Sequence, residues 1–173
     1  MNLIVTCARN FEFEAKHEIT KFLNELGDGE PDIEISDLSG ILTVSTTVNP
    51  LKVVESIREK IIEEPWAIRY SLRIIPIQSV ANTEIEQIIK EVKKNVGVIK
   101  ENESYRITVE KRNSNLSTNE IISSVAKIVP NKVSLEKPDW IILIEIISDK
   151  TGISIIKDGL IFSLDRTKRS LSD

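Results

Sequence analysis

The order of strand and helix signals in the first part of the chain restricts it to few folds. Leu3–Ala8 is a short run rich in β-forming residues, which predicts a strand. Apolar side chains then recur at helical spacing over Phe11–Leu26, and Gly27 follows as a stop signal. Two further apolar runs, at 33–35 and 41–48, are separated by turn-forming residues and predict two strands.

A second helix and a fourth strand complete this first domain. Asn49 and Pro50 stand where a helix cap and a first-turn proline belong, and an apolar stripe follows over 51–61. Apolar and polar residues alternate over 68–74, which predicts a half-buried strand with a basic outer edge. The order is therefore β-α-β-β-α-β, the split βαβ or ferredoxin-like arrangement, in which two helices cover one face of a four-stranded antiparallel sheet.

The remainder of the chain predicts a second α/β domain. Capping boxes at 83–86 and 117–120 each precede an apolar helical stripe. Strands are predicted at Tyr105–Val109, Val133–Leu135, Trp140–Ile147 and Ile153–Ile156. The run 140–147 is nearly all apolar, as expected of a central strand covered on both faces. The predicted fold class is α/β, of the α+β kind, with domains at residues 1–80 and 81–173.

Composition excludes several classes of protein. Cys7 is the only cysteine, which excludes a disulfide framework and a cysteine-based metal site and favours a reducing compartment. The start of the chain lacks the basic flank and the length of a signal peptide. Glu145 interrupts the longest apolar run, which is too short to span a bilayer. We therefore expect a cytoplasmic protein without a membrane partner.

Charge is distributed unevenly along the chain. The formal net charge is −4, which argues mildly against binding to nucleic acid because such domains are often basic. Residues 1–100 carry 16 acidic and 12 basic groups, whereas residues 101–173 carry 11 of each. A local basic face in the second part of the chain is compatible with the acidic total.

Catalytic chemistry has few candidate residues in this sequence. His17 is the only histidine and lies in an amphipathic helix, so we expect a surface or boundary side chain. Cys7 follows a run of aliphatic residues, where a free cysteine is commonly a small buried hydrophobic side chain. The glycines are scattered and form neither a dinucleotide fingerprint nor a Walker motif. We predict no catalytic residue, no metal site and no cofactor, and hence a protein that is not an enzyme.

Three sets of basic and hydrogen-bonding side chains lie near predicted element ends. The first set is Lys111, Arg112, Asn113 and Asn115, which follow a strand and precede a capped helix, a place where phosphate can bind. The second set is Lys157, Arg166, Lys168 and Arg169. The third set is Arg9, Arg69 and Arg73. The alternative interpretations are turn formation by Asn and Ser, a solvated tail, and ordinary surface ion pairs.

Several stretches of the chain carry a family resemblance. They are the strand with a basic pair at 105–112, the helix at 117–128, and the run 133–154, in which Pro138 and Asp139 precede an apolar strand and a turn. Together they resemble a THUMP domain, which a ferredoxin-like domain commonly precedes. Residues 7–12, Cys-Ala-Arg-Asn-Phe-Glu, resemble the N-terminal phrase of the tRNA acetyltransferase adaptor branch of that family.

This resemblance implies a function in tRNA modification. Members of the family bind the acceptor end of tRNA, and the adaptor branch helps a separate tRNA acetyltransferase to form acetylcytidine. By the same resemblance, Lys111 and Arg112 are expected to contact backbone phosphates, with hydrogen bonds from Asn113 and Asn115. Both cations lie at a predicted strand exit, where we expect charged side chains to stay solvated. The alternatives are a small-molecule-binding or regulatory ferredoxin-like protein, an accessory protein of another tRNA-modifying enzyme, and an enzyme with an unrecognised site.

Overall fold

The computed structural model describes all 173 residues, which form two compact units. The first unit comprises Met1–Ile77 and Gly159–Asp173, and the second comprises Gln78–Asp158. The elements, in chain order, are β1 (Leu3–Cys7), α1 (Glu12–Glu25), β2 (Asp32–Ile35), β3 (Ile41–Ser45), α2 (Pro50–Glu63), β4 (Ser71–Pro76), β5 (Ser79–Asn82), α3 (Ile85–Asn95), a 3-10 turn (Val96–Val98), β6 (Tyr105–Arg112), α4 (Thr118–Ile128), β7 (Trp140–Ile147), β8 (Lys150–Lys157), β9 (Phe162–Ser163) and α5 (Leu164–Ser170). None of these helices is long and apolar enough to cross a membrane.

The first unit confirms the predicted ferredoxin-like arrangement. Its sheet has the order β2-β3-β1-β4-β9, and every neighbouring pair is antiparallel. The buried side chains of α1 and α2 join those of the strands in one hydrophobic core. Asn49 caps α2 as predicted, since its side-chain oxygen accepts a hydrogen bond from the Leu51 amide at 2.9 Å.

The C-terminal residues return to this first unit. Strand β9 extends the sheet beside β4, with Arg73 opposite Ser163 and Ile74 opposite Phe162. Phe162 and Leu164 are buried in the core of the first unit. The domain boundary predicted from the sequence places residues 159–173 in the second domain instead. A two-residue strand and a seven-residue helix are too short to show a periodic pattern, so only the tertiary contacts reveal where they pack.

Strand β4 begins at Ser71, three residues later than the alternating pattern predicts. The carboxylate of Glu18 on α1 accepts hydrogen bonds from the backbone N–H groups of Arg69, Tyr70 and Ser71, at 2.7 to 3.3 Å. These N–H groups therefore bind a side chain of α1 instead of a neighbouring strand. Ile68 is still buried in the core, as its place in the alternation indicated.

The second unit is a four-stranded sheet with two helices packed on it. The strand order is β5-β8-β7-β6, in which β6 and β7 are parallel and the other pairs are antiparallel. Ile88, Val92, Ile121 and Val125 of α3 and α4 pack with Ile residues of β7 and β8 in one core. Strand β7 has the predicted bounds, and all of its residues after Trp140 are buried.

Two predicted features of the second unit differ in the structure. Thr83 does not cap α3, which begins at Ile85; its hydroxyl is instead 2.9 Å from the hydroxyl of Thr151 on β8. The preceding residues 79–82 form β5, which the sequence did not indicate because only Val80 among them is a strand-forming residue. The predicted strand 133–135 is reduced to a single bridge between Val133 and Tyr105. Ser117 caps α4 as predicted, since its hydroxyl accepts a hydrogen bond from the Glu120 backbone amide at 3.3 Å.

Candidate nucleic-acid interface

The first predicted set of RNA-binding residues lies at one end of the sheet in the second unit. Parallel strands β6 and β7 both finish there, and the antiparallel strands bring the start of β8 and the finish of β5 to the same place. We call this place the loop end and define it as residues 111–119, 147–150 and 82–84. Ligands of α/β sheets commonly bind outside the carboxyl ends of the strands, where side chains and loop amides converge.

Lys111 is the penultimate residue of β6 and lies at the loop end. Its side chain is exposed, and its ammonium group donates a hydrogen bond to the carbonyl oxygen of Leu116 at 2.9 Å. A lysine ammonium carries three donors, so two remain available for another acceptor. Lys111 therefore both fixes the loop that leads to α4 and offers a positive charge to solvent.

Arg112 has a different environment from the one predicted. Its guanidinium donates to a carboxylate oxygen of Glu145 on β7 at 2.7 Å, and the two side chains are 20% and 0% exposed. Arg112 is therefore not a freely solvated strand-exit side chain, because it supplies the positive charge that a buried carboxylate needs. Its role in the fold is visible, whereas contact with phosphate remains a prediction.

Asn113 and Asn115 occupy different positions in the loop. The side-chain amide of Asn113 donates a hydrogen bond to the hydroxyl of Ser148 at 2.9 Å. Both residues have a positive φ, 53° for Asn113 and 52° for Ser148. The Ser148 amide in turn donates to the Arg112 carbonyl oxygen at 3.0 Å. Asn113 thus joins the loop to the β7–β8 turn. This is the turn-forming role that the sequence offers as the alternative to RNA binding. The side chain of Asn115 is exposed.

Two further features of the loop end are not predicted by the sequence. Lys150, at the start of β8, is exposed and donates to the Asn82 side-chain oxygen at 2.9 Å. The first turn of α4 also lies here, and the N–H groups of Thr118 and Asn119 have no partner within the helix. The only signal for Lys150 was its position in a turn between two predicted strands. Glu110 and Asp149 are exposed and directly precede Lys111 and Lys150 in the chain. The positive charge of the loop end is therefore confined to the two ammonium groups and the helix N-terminus.

Lys157 lies at the opposite end of the same sheet. It is paired with Trp140, seven residues along the β7–β8 ladder from the loop end, a distance of about 23 Å at the usual rise per strand residue. Its ammonium is 2.8 Å from a Glu103 carboxylate oxygen and 4.1 Å from the centroid of the Trp140 ring. The hydrogen bond from Lys157 is the main reason that the pKa of Glu103 is lowered to about 2.

The Pro-Asp pair that contributed to the resemblance also lies at that far end. Pro138 is buried, and the Asp139 carboxylate accepts hydrogen bonds from the backbone amide and the hydroxyl of Ser104, at 2.8 and 3.1 Å. These bonds tie the start of β7 to the start of β6. The pair is a structural feature of the sheet and lies away from the loop end.

The other predicted cations belong to the first unit. Arg166, Lys168 and Arg169 are exposed on α5, so the predicted second set, which included Lys157, is divided between the two units. Arg73 lies on β4 opposite Ser163, directly before α5. Arg9 and Arg69 are exposed where β1 ends and β4 begins, since Cys7 pairs with Ser71.

The two residues considered for catalysis have the predicted environments. His17 is exposed on α1. Cys7 is buried, and burial, together with the neighbouring carboxylates of Glu12 and Glu14, raises the pKa of its thiol to about 11. A thiol with that pKa stays protonated at neutral pH, whereas the thiolate is the nucleophilic form.

Most of the second unit matches a known domain family. Residues 82–156 match the THUMP domain family. The predicted THUMP domain is therefore present, and it begins within the second unit at the end of β5. No functionally curated protein matches the sequence.

Solved structures of low sequence identity share the fold. PH1313 from Pyrococcus horikoshii Ot3 is 17% identical with a TM-score of 0.63, over 91% of this chain and 55% of that one. TrmN from Thermus thermophilus is 10% identical with a TM-score of 0.57, over 90% and 45%. A 4-thiouridine synthetase in complex with RNA and bound ATP is 8% identical with a TM-score of 0.52, over 94% and 42%. The chain thus spans about half the length of these structures.

Proposed function

We propose that this THUMP-containing chain is a tRNA-binding adaptor that has no catalytic site of its own and presents tRNA to a separate acetyltransferase for acetylation of a cytidine. The THUMP domain implies tRNA binding, and this is the single observation that carries the proposal. The similar structures support it at the level of fold, since one of them is a 4-thiouridine synthetase in complex with RNA.

The loop end is the part of the THUMP domain best suited to bind the RNA backbone. Lys111 and Lys150 each use one hydrogen bond to hold a loop and keep their ammonium groups exposed. The free N–H groups in the first turn of α4 add the partial positive charge of a helix N-terminus. Phosphate oxygens accept from all of these donors, and such contacts position a protein on RNA without reading its sequence.

The adaptor role is consistent with the environment of Cys7, the only cysteine of the chain. The thiol of Cys7 is buried and protonated at neutral pH, so it does not act as a nucleophile there. Acetylation in particular is supported by the resemblance of residues 7–12 to the tRNA acetyltransferase adaptor branch. A different modifying enzyme as the partner would leave the proposed binding function of the loop end unchanged.

Binding is tested by measuring tRNA affinity at several salt concentrations. We expect Lys111→Ala and Lys150→Ala each to weaken binding and to flatten the dependence of log affinity on log salt, by roughly 0.7 to 0.9 per lost phosphate contact. Lys132→Ala is the matched control, because Lys132 is exposed near the start of β6, at the other end of the sheet. Equal losses in all three variants would contradict a binding site at the loop end.

The adaptor role is tested with two further measurements. The purified chain, incubated with acetyl-CoA and unmodified tRNA, should leave cytidine unchanged, and turnover by the chain alone would refute the absence of a catalytic site. Nucleoside mass spectrometry of tRNA from a strain that lacks the protein should show loss of acetylcytidine. Loss of another modification instead would replace acetylation by that reaction and leave the adaptor role in place.

A further inference from the structure

We propose that the first unit carries a stacking site for one unpaired nucleobase, formed by the rings of Phe11 and Tyr70 and flanked by Arg9 and Arg69. This inference rests on the proposed RNA-binding function and adds a second contact, at a site made of different chemistry. We call these four residues the aromatic site.

Two chain segments meet to form the aromatic site. The first is the turn after β1, in which the Phe11 amide donates to the Ala8 carbonyl oxygen at 3.1 Å and Asn10 has φ of 73°. The second is the segment 69–71 before β4, which lies beside that turn because Ser71 pairs with Cys7. Each segment contributes one arginine and one aromatic ring. The two rings are stacked, with centroids 5.5 Å apart and planes at 24°.

Hydrogen bonds hold both backbone segments of the aromatic site in place before any ligand binds. The carboxylate of Glu18 holds segment 69–71 through three consecutive backbone N–H groups. The carboxylate of Glu12, one residue after Phe11, accepts from the Gly40 amide at 2.8 Å and so ties the turn to the β2–β3 connection. A ring that is already held in position loses little conformational freedom when a ligand stacks on it, which favours binding.

The exposure of Phe11 indicates that the stack can accept a third ring. Phe11 is 43% exposed although it already contacts Tyr70, so part of its surface remains open to solvent. Unpaired bases in RNA stack on aromatic side chains and on arginine guanidinium planes, and every base offers such a face. Arg9 and Arg69 are both exposed and belong to the same two segments as the rings, and their guanidinium groups suit this purpose.

The local charge distinguishes this site from the loop end. Glu12 and Glu18 lie beside the two arginines, so the aromatic site has no excess of positive charge. Attraction of the phosphate backbone is therefore weak here, and ring stacking supplies the interaction. Stacking releases few counterions, so its contribution to affinity should vary little with salt, in contrast to that of Lys111.

Phe13 provides a matched control for the experiment. It is the same residue type, two positions further along the chain, and at 78% it is more exposed than Phe11. It has no ring contact of the kind that joins Phe11 and Tyr70. A general apolar contribution to RNA binding would therefore affect Phe13 at least as strongly as Phe11, whereas a built stacking site affects Phe11 alone.

The test compares Phe11→Leu, Phe11→Trp and Phe13→Leu in binding to tRNA, to a single-stranded RNA octamer and to a blunt RNA duplex. We expect Phe11→Leu to bind tRNA and the octamer about tenfold more weakly, equal to about 1.4 kcal/mol, with an unchanged salt slope. Phe11→Trp should retain binding, Phe13→Leu should equal the wild type, and duplex affinity should not change. Thermal denaturation verifies that each variant is folded.

Each contrary result overturns a defined part of the reasoning. Wild-type affinity of Phe11→Leu for both tRNA and the octamer would remove the aromatic site while leaving the binding function of the loop end intact. Equal losses in Phe11→Leu and Phe13→Leu, or a loss that flattens the salt slope, would also overturn base stacking. Failure of the wild-type chain to bind tRNA would instead refute the proposed function itself.

Discussion

The ion pair between Arg112 and Glu145 makes a quantitative prediction for the stability of the THUMP unit. Replacing Arg112 by Ala removes the guanidinium that lies 2.7 Å from a fully buried carboxylate. Breaking a buried pair in this way typically destabilises a protein by about 3 to 5 kcal/mol, because the remaining charge stays buried. The Arg112 side chain is 20% exposed, so water already reaches one partner, and we expect a loss near 3 kcal/mol.

Urea denaturation of a double-mutant cycle measures this loss. Arg112→Ala should lower the free energy of unfolding at pH 7, and Arg112→Ala combined with Glu145→Gln should lower it less, because a neutral amide needs no counter-charge. With the single variant Glu145→Gln measured as well, the loss in the double variant minus the losses in the two single variants gives the coupling energy of the two side chains. Lys111→Ala, one residue away and exposed, is the control that should be nearly neutral.

Two results would refute this reasoning. A loss below about 1 kcal/mol in Arg112→Ala would mean that the pair contributes no more than an exposed surface salt bridge. A double variant no more stable than Arg112→Ala would mean that the buried charge of Glu145 is not the source of the loss. The first result would leave Arg112 available for the phosphate contact that the sequence predicts.

Two further predictions concern the first unit and the far end of the second. Gly40→Ala should lower the free energy of unfolding, by at least about 1 to 2 kcal/mol for the positive φ alone. The reason is that φ is +75° and the new Cβ would lie 2.6 Å from the Cys7 carbonyl oxygen. A thermal midpoint equal to that of the wild type would contradict this prediction. Glu103→Gln should be less stable than the wild type at pH 7. Because the pKa of Glu103 is lowered from 4.5 to about 2, that difference should begin to shrink below about pH 4.5 and be lost as the pH falls through about 2, as measured by denaturation at a series of pH values. A difference that persists unchanged at pH 2 would exclude the Lys157 ion pair as its origin.

The proposed RNA-binding surface was only partly predictable, for a reason that Arg112 and Lys150 illustrate. Both are cations at strand ends, and nothing local distinguishes a cation that neutralises a buried carboxylate from one that faces solvent. Glu145 lies 33 positions along the chain from its partner, and only the parallel pairing of β6 and β7 brings them together. Lys150 reaches the loop end through the register of β8, which no pattern in the sequence specifies.

The sequence by itself determined the ferredoxin-like order of the first unit and the apolar strand 140–147, because burial on one face or on both leaves a periodic record in the residues of each element. Cys7 and His17 also have the burial that their positions indicated. The tertiary structure alone decided the return of residues 159–173 to the first unit, the late start of β4 on the Glu18 carboxylate, and the separation of Lys157 from the loop end. These features depend on which distant groups meet, and a local pattern records that a residue is buried without recording its partner.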